Sequence, residues 1–495
     1  MAAGELRMGT PAGRWVLTTT VLGSGLVMID GTVVNVALER IGTELGAGFT
    51  GLQWTVNAYT LTLAALILLG GSLGDRVGRR RMFVIGVVWF AVASLACGLA
   101  PDIGTLIAAR ALQGVGGALL TPGSLALISA SFHGPDRAAA VGAWSGLGGI
   151  AGAIGPFLGG WLVEWSWRAV FLINLPLAAV IVAIALRHVP ESRDPDSAPG
   201  LDLSGTILGV VGLGALTYGL TGLGERGAEP LLLAAVGVGV LALVSFVLVE
   251  RRSPHPLVPP SLFANATFSA ANVATLLIYG AMGAVFLLLV LQLQTVAGFS
   301  PLAAGVSLLP VTAVMLVFSA RAGALSGRIG PRLPMTIGPL VSAGGLLLLL
   351  RVDDTTSWLL DLLPAMLVFG AGLALTVAPL TATVLDSAPD RYAGAASGVN
   401  NAVARAAGLL AVAVVPGLAG ISGDDYTDPA AFDAGFRVAM LIGAGLLAAA
   451  ALAAFTLIRR PLRAAAPPAP GRVHVEECLN CPMSSPPMHP ADAPR

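Results

Sequence analysis

The sequence predicts an all-α membrane protein of fourteen transmembrane helices, arranged as two six-helix bundles with two additional central spans. Three observations predict it. First, 56% of the 495 residues are apolar and 11% are charged, with a mean hydropathy of +0.84, whereas a soluble domain carries about 25% charged residues. Second, apolar runs of the roughly 20 residues that a helix needs to cross a bilayer recur along almost the whole chain. They are continuous, unlike the alternating strands of about ten residues in a membrane barrel. Third, the arginines gather in every other loop, as they do when those loops stay in the cytoplasm.

The spans are expected at 15–38, 52–71, 82–100, 103–128, 138–161, 167–187, 203–222, 231–250, 266–291, 303–325, 334–351, 359–381, 397–418 and 436–457. An even number puts both termini on one side. The proposed cytoplasmic segments hold eighteen arginines, the opposite loops only five (Arg40, Arg168, Arg226, Arg351 and Arg437). The opposite loops lean acidic, with Glu39, Glu44, Asp102, Asp353 and Asp354 among others. Trp15, Trp54, Trp165, Trp167 and Trp358 fall near span ends, where an interfacial aromatic belt is expected. The run 15–38 lacks a convincing signal-cleavage site and precedes many further spans, so it reads as a retained first helix.

The stretch Gly71–Arg81 sets four arginines and one aspartate between two long apolar runs. Gly78 can supply a tight turn there, having no Cβ to clash. Asp75 is placed to stabilise a helix start or to pair with an arginine. Arginines cross hydrocarbon at high cost, so Arg76, Arg79, Arg80 and Arg81 pin the loop to the cytoplasmic face. Gly323–Arg332 echoes this stretch, again after an apolar helix. The echo places two parallel halves at 15–187 and 266–457, an arrangement known in secondary transporters. Between them, 188–265 carries the extra spans 203–222 and 231–250, flanked by linkers rich in Pro, Ser and charge. Residues 1–14 form a cytoplasmic N-terminus, and 458–495, rich in Pro and Ala, a disordered cytoplasmic tail.

The formal net charge is zero, which gives no reason to expect a nucleic-acid partner. No span holds an HExxH motif, a P-loop or a nucleophile elbow. The expectation is therefore a chain that is not an enzyme, binds no cofactor or metal and is not itself driven by ATP. Cys97, Cys478 and Cys481 are too few and badly placed for a disulfide framework. Cys478 and Cys481, with His474 and His489 nearby, could hold a metal, but one such cysteine pair is a weak signal.

The informative residues are the few polar ones inside the membrane. Asp30 lies about seven residues before the expected outer end of the first span, roughly 10 Å deep. A lone carboxylate there is costly and usually functional. Held between burial, which opposes its charge, and a nearby cation, which favours it, such a group can exchange a proton as water access changes. Arg110 lies at matching depth in the fourth span, so the two are natural partners, and Gln113, one turn on, can extend the network. An ion pair that never titrates would use the same residues. In the fifth span, Gly148, Gly152, Gly155 and Gly159 allow close helix approach, and Pro156 removes a backbone donor and favours a kink. That suits a moving interface, although tight packing alone would also use it. Asn35, Asn57, Tyr59, Asn174, Asn272, Tyr279, Gln292, Asn400, Asn401 and Arg405 are the remaining polar groups in or near spans, and some should line a central cavity. Asp361, near the outer end of the twelfth span, is either a cavity acid or an exposed one.

These motifs resemble the major facilitator superfamily and, within it, the fourteen-span drug:proton antiporters of multidrug efflux, over about residues 12–460. Gly71, Leu73, Asp75, Arg76, Gly78, Arg79 and Arg80 match the superfamily signature between helices two and three. Leu106–Ala118 resembles the helix-four motif, whose arginine, here Arg110, is tied to proton transfer. Gly155, Pro156, Gly159 and Gly160 resemble the helix-five motif of antiporters, Met28–Leu38 the family's helix-one motif, and Trp167–Asn174 a segment at the start of helix six. The second-half copy of the signature departs from the pattern at Gly327, where an acid is expected. The resemblance implies alternating access in the cytoplasmic membrane. It implies export of a lipophilic or amphipathic small molecule driven by the proton gradient, a latch at the Asp75 and Arg76 region, and a monomer. Export of an endogenous natural product or lipid, a metabolite permease without antiport, and a sensor or scaffold that moves nothing are the other readings.

Overall fold

The structure, a computed structural model, describes residues 6–193, 202–253, 256–389, 392–423 and 425–458. The tail with Cys478 and Cys481, and part of the linker before the extra spans, lie outside the described residues.

Among the described residues, fourteen long helices follow one another: α1 Pro11–Leu45, α2 Phe49–Val77, α3 Arg79–Gly98, α4 Ile103–Ser131, α5 Gly134–Trp165, α6 Ala169–His188, α7 Leu203–Arg226, α8 Pro230–Arg252, α9 Ala266–Thr295, α10 Pro301–Ile329, α11 Arg332–Arg351, α12 Trp358–Asp386, α13 Ala393–Leu418 and α14 Pro429–Leu457. Thirteen of them are long and apolar enough to cross a membrane, and α5 runs for 32 residues. Most run past the expected ends. Thr10 accepts from the Gly13 N–H to start α1 before its apolar run and Asp428 from Ala430 and Ala431 to start α14 before its own, while Asp102 accepts from Thr105 to start α4 where expected.

Two spans read as continuous are broken. α6 stops at Leu172 and resumes at Asn174, and α10 stops at Val306 and resumes at Leu309. The reason is the same in each. Pro176 and Pro310 stand four residues after Leu172 and Val306, where a proline ring clashes with the carbonyl and offers no N–H.

Within 11–188, α1 packs on α5, and α4 on both α2 and α3; within 266–457, α9 packs on α13, and α12 on both α10 and α11. The same order of packing thus recurs. The halves meet where α2 touches α13, α5 touches α10 and α1 touches α9. Helices α7 and α8 pair with each other, and α7 docks against α2 and α13. Leu231 and Leu241 on α8 are more than 60% exposed, as lipid-facing side chains are.

The molecule has an end carrying Gly78 and an end carrying Ala47. At the Ala47 end the halves are bonded. The Phe49 N–H donates to Gly423 O, Tyr426 Oη to Ala47 O, Gln53 Nε2 to Val412 O and Gln294 Nε2 to Val36 O, at 2.8–3.1 Å. One cluster of buried apolar side chains crosses between the halves there, through Leu38, Ile41, Phe49, Leu291 and Phe436. A second cluster, through Val16, Leu63, Phe83, Phe132 and Val189, stays inside the first half. Of the tryptophans expected in an aromatic belt, Trp15, Trp165 and Trp358 are exposed and Trp54 is half-buried, whereas Trp167 is not exposed. Trp167 is fully buried, donates Nε1 to Glu44 Oε2 at 2.8 Å, and carries the Arg168 guanidinium over its ring.

Candidate functional site

Asp30 on α1 and Arg110 on α4 are each 1% exposed, and Arg110 Nη1 donates to Asp30 Oδ2 at 2.6 Å. The other carboxylate oxygen accepts from Gln113 Nε2 at 2.8 Å and from Asn174 Nδ2 at 2.9 Å. Arg110 also donates to Gln113 Oε1 and to the Thr55 carbonyl, and its guanidinium lies 4.2 Å from the centre of the Tyr59 ring. Ser94 Oγ accepts from both amides. Five helices, α1, α2, α3, α4 and α6, thus contribute to one network, in which α4 and α6 bond the carboxylate itself. Such a pair is tolerable in low dielectric because each charge is both neutralised and hydrogen-bonded. All three groups bonded to Asp30 are N–H donors, so each of its acceptor bonds favours the carboxylate.

Asn174, read as a general cavity candidate, belongs to this network. Ser94 and Thr55 were not singled out from sequence. A small hydroxyl in an apolar run is a faint signal, and a backbone carbonyl gives none.

Beside the pair lies a cavity of about 280 Å³ between the halves, lined from α1 by Met28, Gly31, Thr32 and Asn35, from α2 by Tyr59 and Thr60, from α4 by Arg110, from α5 by Gly152 and from α13 by Arg405. Asp30 itself does not line it; Arg110 stands between. Of the other candidates, Asn57 is buried with neither amide atom bonded, and Tyr279 is not among the residues lining the cavity. Asn400 donates to Asn272 and Thr275, tying α13 to α9 outside the cavity wall. Gln292 donates to Asp433 and the Val352 carbonyl. Asn401 is exposed and donates to its own helix at Ser397 O. Asp361 is not a cavity acid: it accepts from the Ser357 N–H and caps the π-helical first turn of α12.

The glycines of α5 divide their contacts between the halves. A Cβ at Gly155 would strike Thr32, and one at Gly159 would lie 3.0 Å from Val33 Cα, both on α1. One at Gly160 would lie 2.6 Å from Leu302 Cα and from the Pro301 carbonyl, on α10, and Gly305 of α10 sits against the Pro156 carbonyl. Toward the Gly78 end, Gly142 and Gly146 face open space.

At the Gly78 end, α2 and α3 turn through Gly78 at φ 128°, and α10 and α11 through Gly330 at φ 86°, so the echoed stretches share a turn. Gly71 packs against Pro122 of α4. Asp75 accepts from Arg79 Nε at 2.8 Å. The helix start that Asp75 could have stabilised is instead held by Glu191, from the stretch read as linker. Its two oxygens accept from the Arg80 and Arg81 N–H groups, while Arg80 also donates to the Val189 carbonyl. Glu191→Gln should lower stability by about 1 kcal/mol, read as a fall in the thermal midpoint in detergent.

Two bundles beside a cavity, with Arg110 of the buried ion pair at its wall and thirteen apolar spans among the described residues, define a multi-pass membrane protein built like a secondary transporter. A model described as Major Facilitator Superfamily matches residues 20–412. The chain belongs to that superfamily. It is 37% identical over 462 residues to the puromycin resistance protein pur8 of Streptomyces alboniger, covering 90% of this chain and 92% of that one. It is 34% identical over 454 residues to the methylenomycin A resistance protein of Bacillus subtilis, covering 90% and 95%. Among solved structures, a bacterial homologue of the lysosomal transporter Spinster, in an inward-facing and unoccupied conformation, matches with a TM-score of 0.65 at 18% identity, covering 90% of this chain and 97% of that one.

Proposed function

We propose that the protein exports lipophilic or amphipathic small molecules from the cytoplasm in exchange for protons. The observation that carries this reading is the Asp30–Arg110 pair, buried beside the cavity and bonded by donors alone on its acidic side. An acid whose carboxylate is tied directly to two other helices, α4 and α6, can link a change in its charge to conformation. The names of the relatives, which speak of resistance to puromycin and methylenomycin A, support export.

In this cycle the cavity opens toward the Gly78 end to load substrate, while the bonds at the Ala47 end hold the other side shut. Arginine asymmetry supports placing the Gly78 end and both termini in the cytoplasm of a cell bounded by that membrane. The halves then rock, the Gly71–Arg80 loop steadies the cytoplasmic closure, and protonation of Asp30 from outside promotes the return. The proton gradient is the energy source, no cofactor takes part, and a monomer suffices.

The test is proton movement in proteoliposomes carrying a trapped pH dye. Adding puromycin, methylenomycin A or ethidium should drive proton flux with the wild-type protein and none with empty liposomes. Substrate uptake without proton flux would replace antiport by facilitated passage, and the absence of both would favour a scaffold.

A further inference from the structure

Arg405 is the one lining residue that the second half contributes to the cavity, and its charge is not matched there. Among the described residues it makes no ion pair and its Nε has no hydrogen-bond partner, and Tyr59 shares the cavity wall with it. Arg110, on the opposite wall, is already neutralised by Asp30. The cavity therefore holds one uncompensated guanidinium deep in the membrane, where such a charge is costly and functional by default. Asn35 Oδ1, on the same wall as Met28 and Thr32, is a buried acceptor without a donor. The rest of the wall near it is apolar, with Val27, Val34 and Val56.

We propose that this cavity is a subsite for an acidic amphiphile: a ligand whose carboxylate or similar anionic oxygen pairs with Arg405, whose hydrogen-bond donor meets Asn35, and whose apolar body lies against the valines. A guanidinium suits this role because its fork of N–H groups matches a carboxylate with two bonds. At about 280 Å³ the cavity favours a compact ligand, since it falls just below the roughly 300–1,000 Å³ of such sites. Because Arg405 belongs to one half and Asn35 to the other, a ligand that bonds both bridges the surfaces that move. The inference rests on the reading of this cavity as the transport site.

Binding of 6-hydroxy-2-naphthoate and of its methyl ester to the purified full-length protein, followed by fluorescence anisotropy at pH 7, tests it. The wild type should bind the acid at least tenfold tighter than the ester. Arg405→Gln should remove that preference while ester affinity stays within about twofold, and Arg405→Lys should keep part of it. Equal affinities in the wild type, a preference that survives Arg405→Gln, or an equal loss of both ligands would overturn the proposal. Acid binding with this pattern, but without proton flux when the acid enters proteoliposomes, would leave the subsite standing and remove antiport.

Discussion

Asp30→Asn is expected to abolish proton-coupled transport and to lower stability by about 3 kcal/mol, through a single uncompensated charge. The pair is 1% exposed on both sides, so the Arg110 cation left behind is largely shielded from bulk water and has lost its counter-charge. Breaking a buried pair from one side costs about 3–5 kcal/mol, far more than an exposed pair is worth. Arg110→Gln should cost a similar amount from the other side. The double variant Asp30→Asn with Arg110→Gln removes both charges and should lose much less than the sum, with a coupling term of roughly 1–3 kcal/mol in a thermal-unfolding cycle. The cycle also separates two roles. A structural pair would give a double variant that regains both stability and transport. A coupling pair would give one that regains stability, while drug-driven proton flux in proteoliposomes stays lost.

That Asp30 and Arg110 meet could be read from the sequence, for a reason the structure clarifies. Their depths matched when counted from the edges of apolar runs, yet Asp30 lies fifteen residues before the end of α1 at Leu45 and Arg110 only seven after the start of α4 at Ile103. α1 simply continues two turns beyond its hydrophobic edge. The edge of the apolar run, not the helix terminus, reports depth, because the bilayer fixes the former and local capping the latter. Spans were legible for the same reason. What stayed hidden depended on contacts between distant segments. Glu191 sits in a stretch that reads as linker, and only the return of the chain after α6 brings it to the start of α3. Trp167 reads as a belt residue from its place near a span end, and Glu44 turns it inward. The prolines at 176 and 310 were visible, but in membrane helices proline often causes no break, as Pro122 and Pro156 illustrate inside continuous α4 and α5.

The second large effect concerns the seal at the Ala47 end. Gly160→Leu should shift the protein toward a state open at that end. The added Cβ would sit 2.6 Å from backbone atoms of Pro301 and Leu302, and a backbone cannot turn aside as a side-chain tip does. Those atoms belong to the opposite half, so the clash exists only while the halves are closed there. Separation relieves it and leaves packing inside each half untouched. Overpacking a tight contact costs about 1–3 kcal/mol, which multiplies the open population by about five to over a hundredfold. Gly155 supplies the control, since its contact, Thr32 on α1, lies inside the same half. Gly155→Leu should lower the thermal midpoint without favouring either open state. The measurement is the labelling rate of Asn35→Cys by a membrane-impermeant maleimide applied from the Ala47 side. In the Gly160→Leu background the rate should rise at least fivefold, and in the Gly155→Leu background it should not. Because Asn35 lines the cavity rather than its rim, faster labelling there requires a path through the seal. An unchanged rate in Gly160→Leu would mean that the close approach of α5 to α10 is packing that the transport cycle never breaks.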